Sequence, residues 1–254
     1  MIAKITPKTQ LIGQNIFYFN QIESTNTFAH QFVKEQTESN GVVFFAEEQT
    51  KGRGQNEKHW ESEPYKNLCF SFIFEPKNAT IEKTFYFNKL ICLSISQAVK
   101  NYLKTEKVEI KWPNDIFVNN KKIGGILIEN NLQNNKIKHS IIGIGINVNQ
   151  SFVSQKSFIA TSFYDVLTTE TSREDLFCLI LETIDNNLLL TNQTLIEKNF
   201  DMNLLGFNKP CEFLDASSTK FKAKIVGVNN HGQLLVQSNG STTAYLHGSI
   251  KQII

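Results

Sequence analysis

Glycines stand in the middle of two segments that otherwise read as strands. One is Gly124-Gly125, just after Lys122-Ile123, and the other is Gly143-Ile144-Gly145. Glycine weakens a strand, because it has no side chain to pack and loses more backbone entropy on ordering. Such residues are kept in strands where another group must approach the backbone closely. A third opening, Gly52-Arg53-Gly54, follows the continuous apolar run Gly41-Val42-Val43-Phe44-Phe45-Ala46, which reads as a buried strand. It therefore sits at a strand's carboxyl end, where backbone amides are free. Three glycine-opened places on one sheet predict one shared pocket.

The charges around these glycines point to an anionic occupant. The first basic segment reads Gln49-Thr50-Lys51-Gly52-Arg53-Gly54-Gln55 and runs on through His59 to Trp60. The second reads Lys111-Trp112-Pro113-Asn114-Asp115, followed after a short turn by Lys122 and its glycines. Each sets unpaired cations beside exposed amides, which is what a carboxylate or phosphate needs. Arg53 carries a planar set of donors, and His59 and Trp60 offer flat surfaces for a nucleobase. No Gly-Lys-Ser/Thr follows, so this is not a P-loop. Pro113 ends its strand and stiffens the turn. Asp115 is placed either to bind a magnesium ion or to take a proton from an attacking amine. Each segment also has a plainer reading: a basic surface turn in the first case, an Asn-Asp turn beside a buried Trp in the second.

Composition excludes several classes. The chain has 254 residues, 41% hydrophobic, with 20 Phe and a formal net charge of +2. That is ample core material, and too small a basic excess for a dedicated nucleic-acid binder. The lysines from Lys104 to Lys122 are interspersed with Glu106, Glu109 and Asp115, which reads as a solvated mixed face. No apolar run reaches the roughly 20 residues of a membrane span, and none near Met1 is long enough for a signal peptide. The four cysteines form no CxxC, and Cys69, Cys92 and Cys178 sit among apolar neighbours as expected buried thiols. The five histidines (His30, His59, His139, His231, His247) show no metal-ligand spacing, so no protein-bound metal is expected. A soluble cytoplasmic protein is the simplest expectation.

Periodicity predicts the elements. Phe17 to Phe19 reads as a strand, and Ser24 or its neighbours cap a helix containing Phe28, Phe32 and Val33. Strands follow at 41–46, 68–74 and 108–112, with a helix at 87–103 between the last two. Asn119-Asn120 predicts a type I′ hairpin, and further strands at 126–129 and 140–148 flank a polar turn at Asn134-Asn135. Ser172 and Asp175 mark a helix start. A second helical stretch reaches about Leu204 and stops at Gly206. From Pro210 onward, four or five short strands broken by Asn-Gly turns predict a small β-barrel. The mixed order gives an α+β fold with a largely antiparallel sheet and flanking helices. The expected division is a domain at 1–205 and a small one at 206–254.

Taken together, Glu23-Ser24-Thr25-Asn26, the basic loop from Gln49 to Trp60, Asn67-Leu68-Cys69-Phe70-Ser71, the Lys111 to Asp115 turn, Lys122 to Glu129 and Gly143 to Asn149 resemble the biotin protein ligase family. The resemblance implies a class II synthetase-like catalytic domain and a C-terminal SH3-like barrel. It implies ATP, Mg2+ and biotin as reactants, and a lysine of a biotin carboxyl carrier protein as acceptor. Ser24, Thr25, Gln49 and the backbone at Gly52 and Arg53 would hold the biotin ring. Lys122 would meet the carboxylate and then the α-phosphate, above the opening at Gly125. Arg53, Lys111 and Asn114 would stand near the phosphates, Trp60 and Asn147 near adenine, and Asp115 beside the target lysine.

Two departures stand out. Gln55-Asn56-Glu57-Lys58 replaces a more basic form of the loop, and the tail ending Lys251-Gln252-Ile253-Ile254 lacks an Arg that some members place there. No winged-helix region precedes Glu23, which implies no DNA-binding role. Monomer and homodimer both stay open. A lipoate or fatty-acyl ligase of the same fold, or a non-catalytic binding protein, are the alternatives.

Overall fold

A computed structural model describes residues 6–55, 58–152, 159–190 and 192–254. Its centre is a seven-stranded sheet built from β1 (Ile16–Ile22), β2 (Val43–Gln49), β3 (Leu68–Phe74), β4 (Val108–Lys111), β5 (Asp115–Val118), β6 (Lys121–Gln133) and β7 (Lys136–Ile146). The spatial order is β1-β2-β3-β7-β6-β5-β4. β1 and β2 are parallel, joined by helix α1 (Thr25–Glu35), and the other neighbours are antiparallel. The fold is α+β, as the mixed order of elements predicts.

The apolar run in β2 is continuous because both sheet faces are covered. Phe44 packs against Phe28 and Phe32 of α1 at 5.3 and 5.1 Å between ring centres. Its neighbour Phe45 points the other way, to Phe177 of α4 (Arg173–Leu189) at 5.3 Å. Helix α2 (Thr84–Leu103) packs on α4, and both bury their apolar stripes in the main core. A short α3 (Phe163–Leu167) and α5 (Gln193–Met202) complete the α-helices among the described residues. Both Asn-Asn pairs turn hairpins in left-handed conformation, with φ of 49° and 64° at Asn119 and Asn120 and of 50° and 61° at Asn134 and Asn135.

The C-terminal strands β8 (Pro210–Asp215), β9 (Lys220–Val228), β10 (Leu234–Ser238), β11 (Ser241–Tyr245) and β12 (Ile250–Ile253) form one five-stranded antiparallel sheet in the order β11-β10-β9-β8-β12. Its buried side chains, among them Phe213, Ile225, Leu234 and Val236, belong to the same continuous core as the seven-stranded sheet.

Several sequence expectations need correction. The strand expected at 41–46 is Val43–Gln49, and the one expected at 126–129 is part of β6, which runs unbroken from Lys121. Helix α2 starts at Thr84, not Phe87, because a 3-10 turn at Ile81–Lys83 leads into it and Thr84 Oγ1 donates to the Ile81 carbonyl at 2.6 Å. The strand expected to end on Trp112 ends on Lys111. Cys178 is half-buried, while Cys69 and Cys92 are fully inside.

Charged groups inside the molecule tie these layers together. Arg173 Nη1 lies 2.6 Å from Glu47 Oε2, both nearly inaccessible, and also donates to the Asn67 carbonyl at 3.2 Å. This pins the end of β2 to the start of β3, the two strands between which the basic loop runs. Asp185 of α4 accepts backbone N–H bonds from Gln10, Leu11 and Ile12 at 2.8, 2.7 and 2.9 Å. It clamps the N-terminal segment onto the helix layer. Asp185 is 2% exposed, so Asp185→Ala takes the acceptor from three backbone donors, of which Ile12 N–H is buried and Leu11 N–H partly so. We expect a loss of about 3 kcal/mol in unfolding free energy by urea denaturation. An unchanged midpoint would refute the clamp.

Candidate active site

The glycines of β6 and β7 lie beside one another, with Gly125 opposite Gly145 and Gly124 opposite Ile146. They leave part of one sheet face without side chains, and two groups lie on it. A Cβ at Gly145 would stand 2.3 Å from Trp60 Cε2, and one at Gly143 would stand 2.2 Å from Asn26 Oδ1. The openings thus admit Trp60 and Asn26 directly against the backbone. Gly125 marks the foot of a tighter cluster. A Cβ there would meet Lys122 Nζ and Trp60 Cζ3 at 3.3 Å and Asp115 Oδ1 at 3.4 Å.

The basic loop forms its own small hairpin. Arg53 pairs with His59, Gly54 N–H donates to the Lys58 carbonyl at 2.7 Å, and Trp60 N–H donates to the Gly52 carbonyl at 3.0 Å. Gly52 is required because a Cβ there would sit 2.4 Å from the Trp60 carbonyl oxygen. The departure at Gln55-Asn56-Glu57-Lys58 is described only at Gln55 and Lys58; Asn56 and Glu57 lie outside the described residues.

The cations expected to be unpaired are not all so. Lys122 Nζ lies 2.7 Å from Asp115 Oδ1 and 5.5 Å from the centre of the Trp60 ring. Arg53 is held by Glu129, with Nη2–Oε1 at 2.7 Å and Nη1–Oε2 at 3.3 Å. Strand pairing explains both. β5 and β6 run antiparallel with Asp115 opposite Gly125, and β6 then carries its chain on to Glu129 beneath the loop. Lys111 has no carboxylate partner at ion-pair distance among the described residues, and lies 5.7 Å from the Phe117 ring centre. Burial holds its pKa below the usual lysine range against the pull of Asp115, and nearby Lys122 adds to the lowering.

A hydrogen-bonded chain connects these charges to the start of α1. Ser24 caps the helix, accepting from Thr27 N–H at 3.5 Å. Gln49 Oε1 accepts from Thr25 N–H at 2.8 Å and lies 3.1 Å from its hydroxyl. Thr25 Oγ1 and Ser71 Oγ are 2.6 Å apart, Ser71 donates to Asn26 Oδ1 at 2.6 Å, and Asn26 Nδ2 donates to Glu129 Oε2 at 2.8 Å. Burial raises the Glu129 pKa, but the Asn26 hydrogen bond and the charges of Arg53 and His30 outweigh it and leave the carboxyl below its usual range. Ser71, Asn26 and Glu129 carry no role in the sequence reading. Glu129 has one local signal, an acid on a glycine-opened strand, but its partners are distant in the chain.

The second sheet supplies the remaining wall. Trp112 Nε1 donates to the Gly232 carbonyl at 3.0 Å, and its ring meets His247 edge-on at 5.5 Å. The Lys89 ammonium, buried in α2, donates to the Val228 carbonyl at 2.6 Å, while Asp201 accepts from Val228 N–H at 3.1 Å. Val228 of β9 is thus held at both its carbonyl and its N–H. The grip brings His247, Lys251 and Gln252 to the cleft. The tail therefore reaches the site with Lys251, although the expected Arg is absent. Burial, then Lys58, hold the His247 pKa below its ordinary value.

The result is a cleft of about 650 Å3, within the range of small-molecule sites. Ser24, Thr25, Gln49, Arg53, Trp60, Lys111, Asn114, Asp115, Lys122, Gly125 and Asn147 all line it. Gly52 lies behind them and lines an adjoining groove. Two amides are committed to the framework: Asn114 donates to the Ile126 carbonyl, and Asn147 donates to the Thr161 carbonyl at 3.0 Å. Among the described residues no group of three His, Cys, Asp or Glu side chains forms a metal cage.

The glycine-cleared face of this mixed sheet brings cations, an acid and an aromatic ring together on one cleft, and the comparisons place such a chain among the ligases. The family model for biotin/lipoate A/B protein ligases matches residues 18–147, and the chain belongs to that family. It is 29% identical over 238 residues to the bifunctional ligase/repressor BirA of Bacillus subtilis strain 168, covering 91% of this chain and 72% of that protein. It is 32% identical over 146 residues to biotin–protein ligase 2 of Arabidopsis thaliana, covering 55% of this chain and 42% of that one. The structure of biotin protein ligase from Aquifex aeolicus in complex with biotin and ATP superposes with a TM-score of 0.76 at 27% identity, covering 94% of this chain and 99% of that one.

Gly145→Ala tests the cleared face. Its methyl group cannot coexist with the Trp60 indole, so the indole must leave the sheet. Tryptophan emission is expected to shift to the red and become more accessible to a soluble quencher than in the parent protein. Identical emission and quenching would contradict the placement of Trp60.

Proposed function

We propose that this chain is a biotin–protein ligase, which activates biotin with ATP as biotinyl-5′-AMP and passes the biotinyl group to a lysine of a biotin carboxyl carrier protein. The observation that carries this reading is the convergence of Lys122, Arg53 and Lys111 with Asp115 on one cleft, beside the Trp60 ring.

In the first step a biotin carboxylate oxygen attacks the α-phosphorus of ATP. A P–O bond forms to biotin, and the bond to the leaving pyrophosphate breaks. All reacting groups are anionic, so stabilisation falls to fixed cations and amides. Lys122 is the cation nearest both the acid and the aromatic ring, and takes the carboxylate and then the α-phosphate. Arg53 and Lys111 flank the phosphates, and Lys251 extends the positive wall. Ser24, Thr25 and Gln49 hold the biotin ring at the start of α1. Mg2+ enters as part of the Mg-ATP substrate. Asp115 and Glu61 are carboxylates lining the cleft that would face such an ion.

In the second step the acceptor amine attacks the carbonyl carbon of the mixed anhydride, and AMP leaves with the electron pair of the broken bond. A free lysine near pH 7 is neutral in roughly one molecule per thousand. In this reading Asp115 takes the amine's proton or orients it. Its partner Lys122 is drawn toward the phosphate in the same complex, which frees a carboxylate oxygen for this role. No helix among the described residues is long and apolar enough to cross a membrane, and a cytoplasmic place of action fits the reading.

The test is incubation with biotin, Mg-ATP and a biotin carboxyl carrier domain, read by intact mass and by pyrophosphate release. One biotinyl adduct on the carrier is expected. Modification by lipoate or octanoate in place of biotin would instead select the acyl-ligase reading, and no adduct with any of them would leave a binding protein. Lys122→Ala is expected to slow pyrophosphate release about 30-fold or more, the loss for a desolvated charge pair. Near-normal release would remove Lys122 from the reaction.

A further inference from the structure

Glu129 lines the adjoining groove rather than the main cleft, yet it joins the basic hairpin to the pocket network. Its backbone is fixed, because β6 pairs with β7 along this stretch and Glu129 stands opposite Ile141. The hairpin is different. Its backbone bonds between Gly52 and Trp60 are internal to it. Among the described residues, two side chains fasten it to the sheet: the Trp60 indole over Gly145, and the Arg53 guanidinium on Glu129. The same carboxylate accepts from Asn26, and through Ser71 and Thr25 the chain reaches Gln49. A guanidinium has five N–H donors, so the two spent on Glu129 leave three for an anionic ligand.

We propose that Glu129 is a positioning residue for the ligase reaction: it holds Arg53, and with it the basic hairpin, in the ligand-ready place before substrate arrives. Without the carboxylate, the cost of ordering the hairpin falls on substrate binding, which weakens apparent affinity without altering the bound geometry. The kinetic part of this inference rests on the biotin-ligase reading; the structural part does not.

The test uses the full chain carrying Glu129→Gln and Glu129→Asp, each alone, and Glu129→Gln in an Arg53→Gln background. In the ligand-free protein, Glu129→Gln is expected to speed amide exchange at residues 52–55 and to leave the strands unchanged. In pyrophosphate release it is expected to raise KM for biotin and ATP about 10-fold with kcat within about 3-fold. Glu129→Asp is expected to restore part of the loss. In the Arg53→Gln background, Glu129→Gln is expected to add no further change. Unchanged exchange, an equal effect without Arg53, or faster exchange with unchanged KM would each overturn the proposal. A lowered KM would do so too, by making Glu129 a competitor for Arg53. If the unmodified protein makes no adenylate, the ligase reading fails, and the exchange result alone decides whether Glu129 positions the hairpin.

Discussion

Everything at the site depends on backbone left bare. Gly143 and Gly145 in β7 and Gly125 in β6 keep side chains off one patch of sheet, so an indole and an amide can lie against the peptide groups. A methyl at Gly145 or Gly143 would stand inside the van der Waals distance of what now occupies the space. The strands tolerate these glycines because they are interior, flanked by β3 and β5, and because the isoleucines between them pack the opposite face. Placing Trp60 there anchors the basic hairpin, and the hairpin in turn brings Arg53 over Glu129.

The second constraint is charge balance. A cleft that gathers Arg53, Lys111, Lys122 and Lys251 to receive anions would repel itself if every cation stood alone. Here Asp115 balances Lys122 and Glu129 balances Arg53. Lys111 is left to burial and its like-charged neighbours, which depress its pKa. In the proposed reaction, incoming carboxylate and phosphates would exchange one partner for another, a smaller reorganisation than assembling bare cations in a low-dielectric cleft. The second sheet is tied to this site, since Lys89 and Asp201 hold the carbonyl and the N–H of Val228 and Trp112 holds Gly232. The C-terminal strands are a wall of the cleft.

Much of this was legible from sequence, for physical reasons that can be named. Asn119-Asn120 and Asn134-Asn135 specified their turns because few residues accept two left-handed conformations in succession. Arg53, Lys111, Lys122 and the glycines of the cleft were legible because glycine in a strand and cations beside glycine are unusual local choices, whereas Ser24, Thr25, Gln49 and Asn147 came from the family resemblance. What remained hidden depends on contacts between distant segments. The pairing of Arg53 with Glu129 needs the β6–β7 register and the path of the loop together. Glu129 itself reads locally as a solvent-facing acid on an alternating strand. Trp112 belonged to a recognised motif, but its hydrogen bond to Gly232 crosses to another sheet. Helix α2 begins earlier than its apolar period because the 3-10 turn before it carries no apolar stripe of its own.

The central claim is that the cleft keeps its cations paired with its own carboxylates until substrate anions replace them. A crystal structure with biotinyl-5′-AMP, compared with a ligand-free one, tests this most directly. The account predicts that Lys122 Nζ moves from its 2.7 Å contact with Asp115 to an oxygen of the adenylate's carboxyl-phosphate linkage. An adenylate bound in the cleft with Lys122 still closed on Asp115 and no contact to that linkage would contradict it.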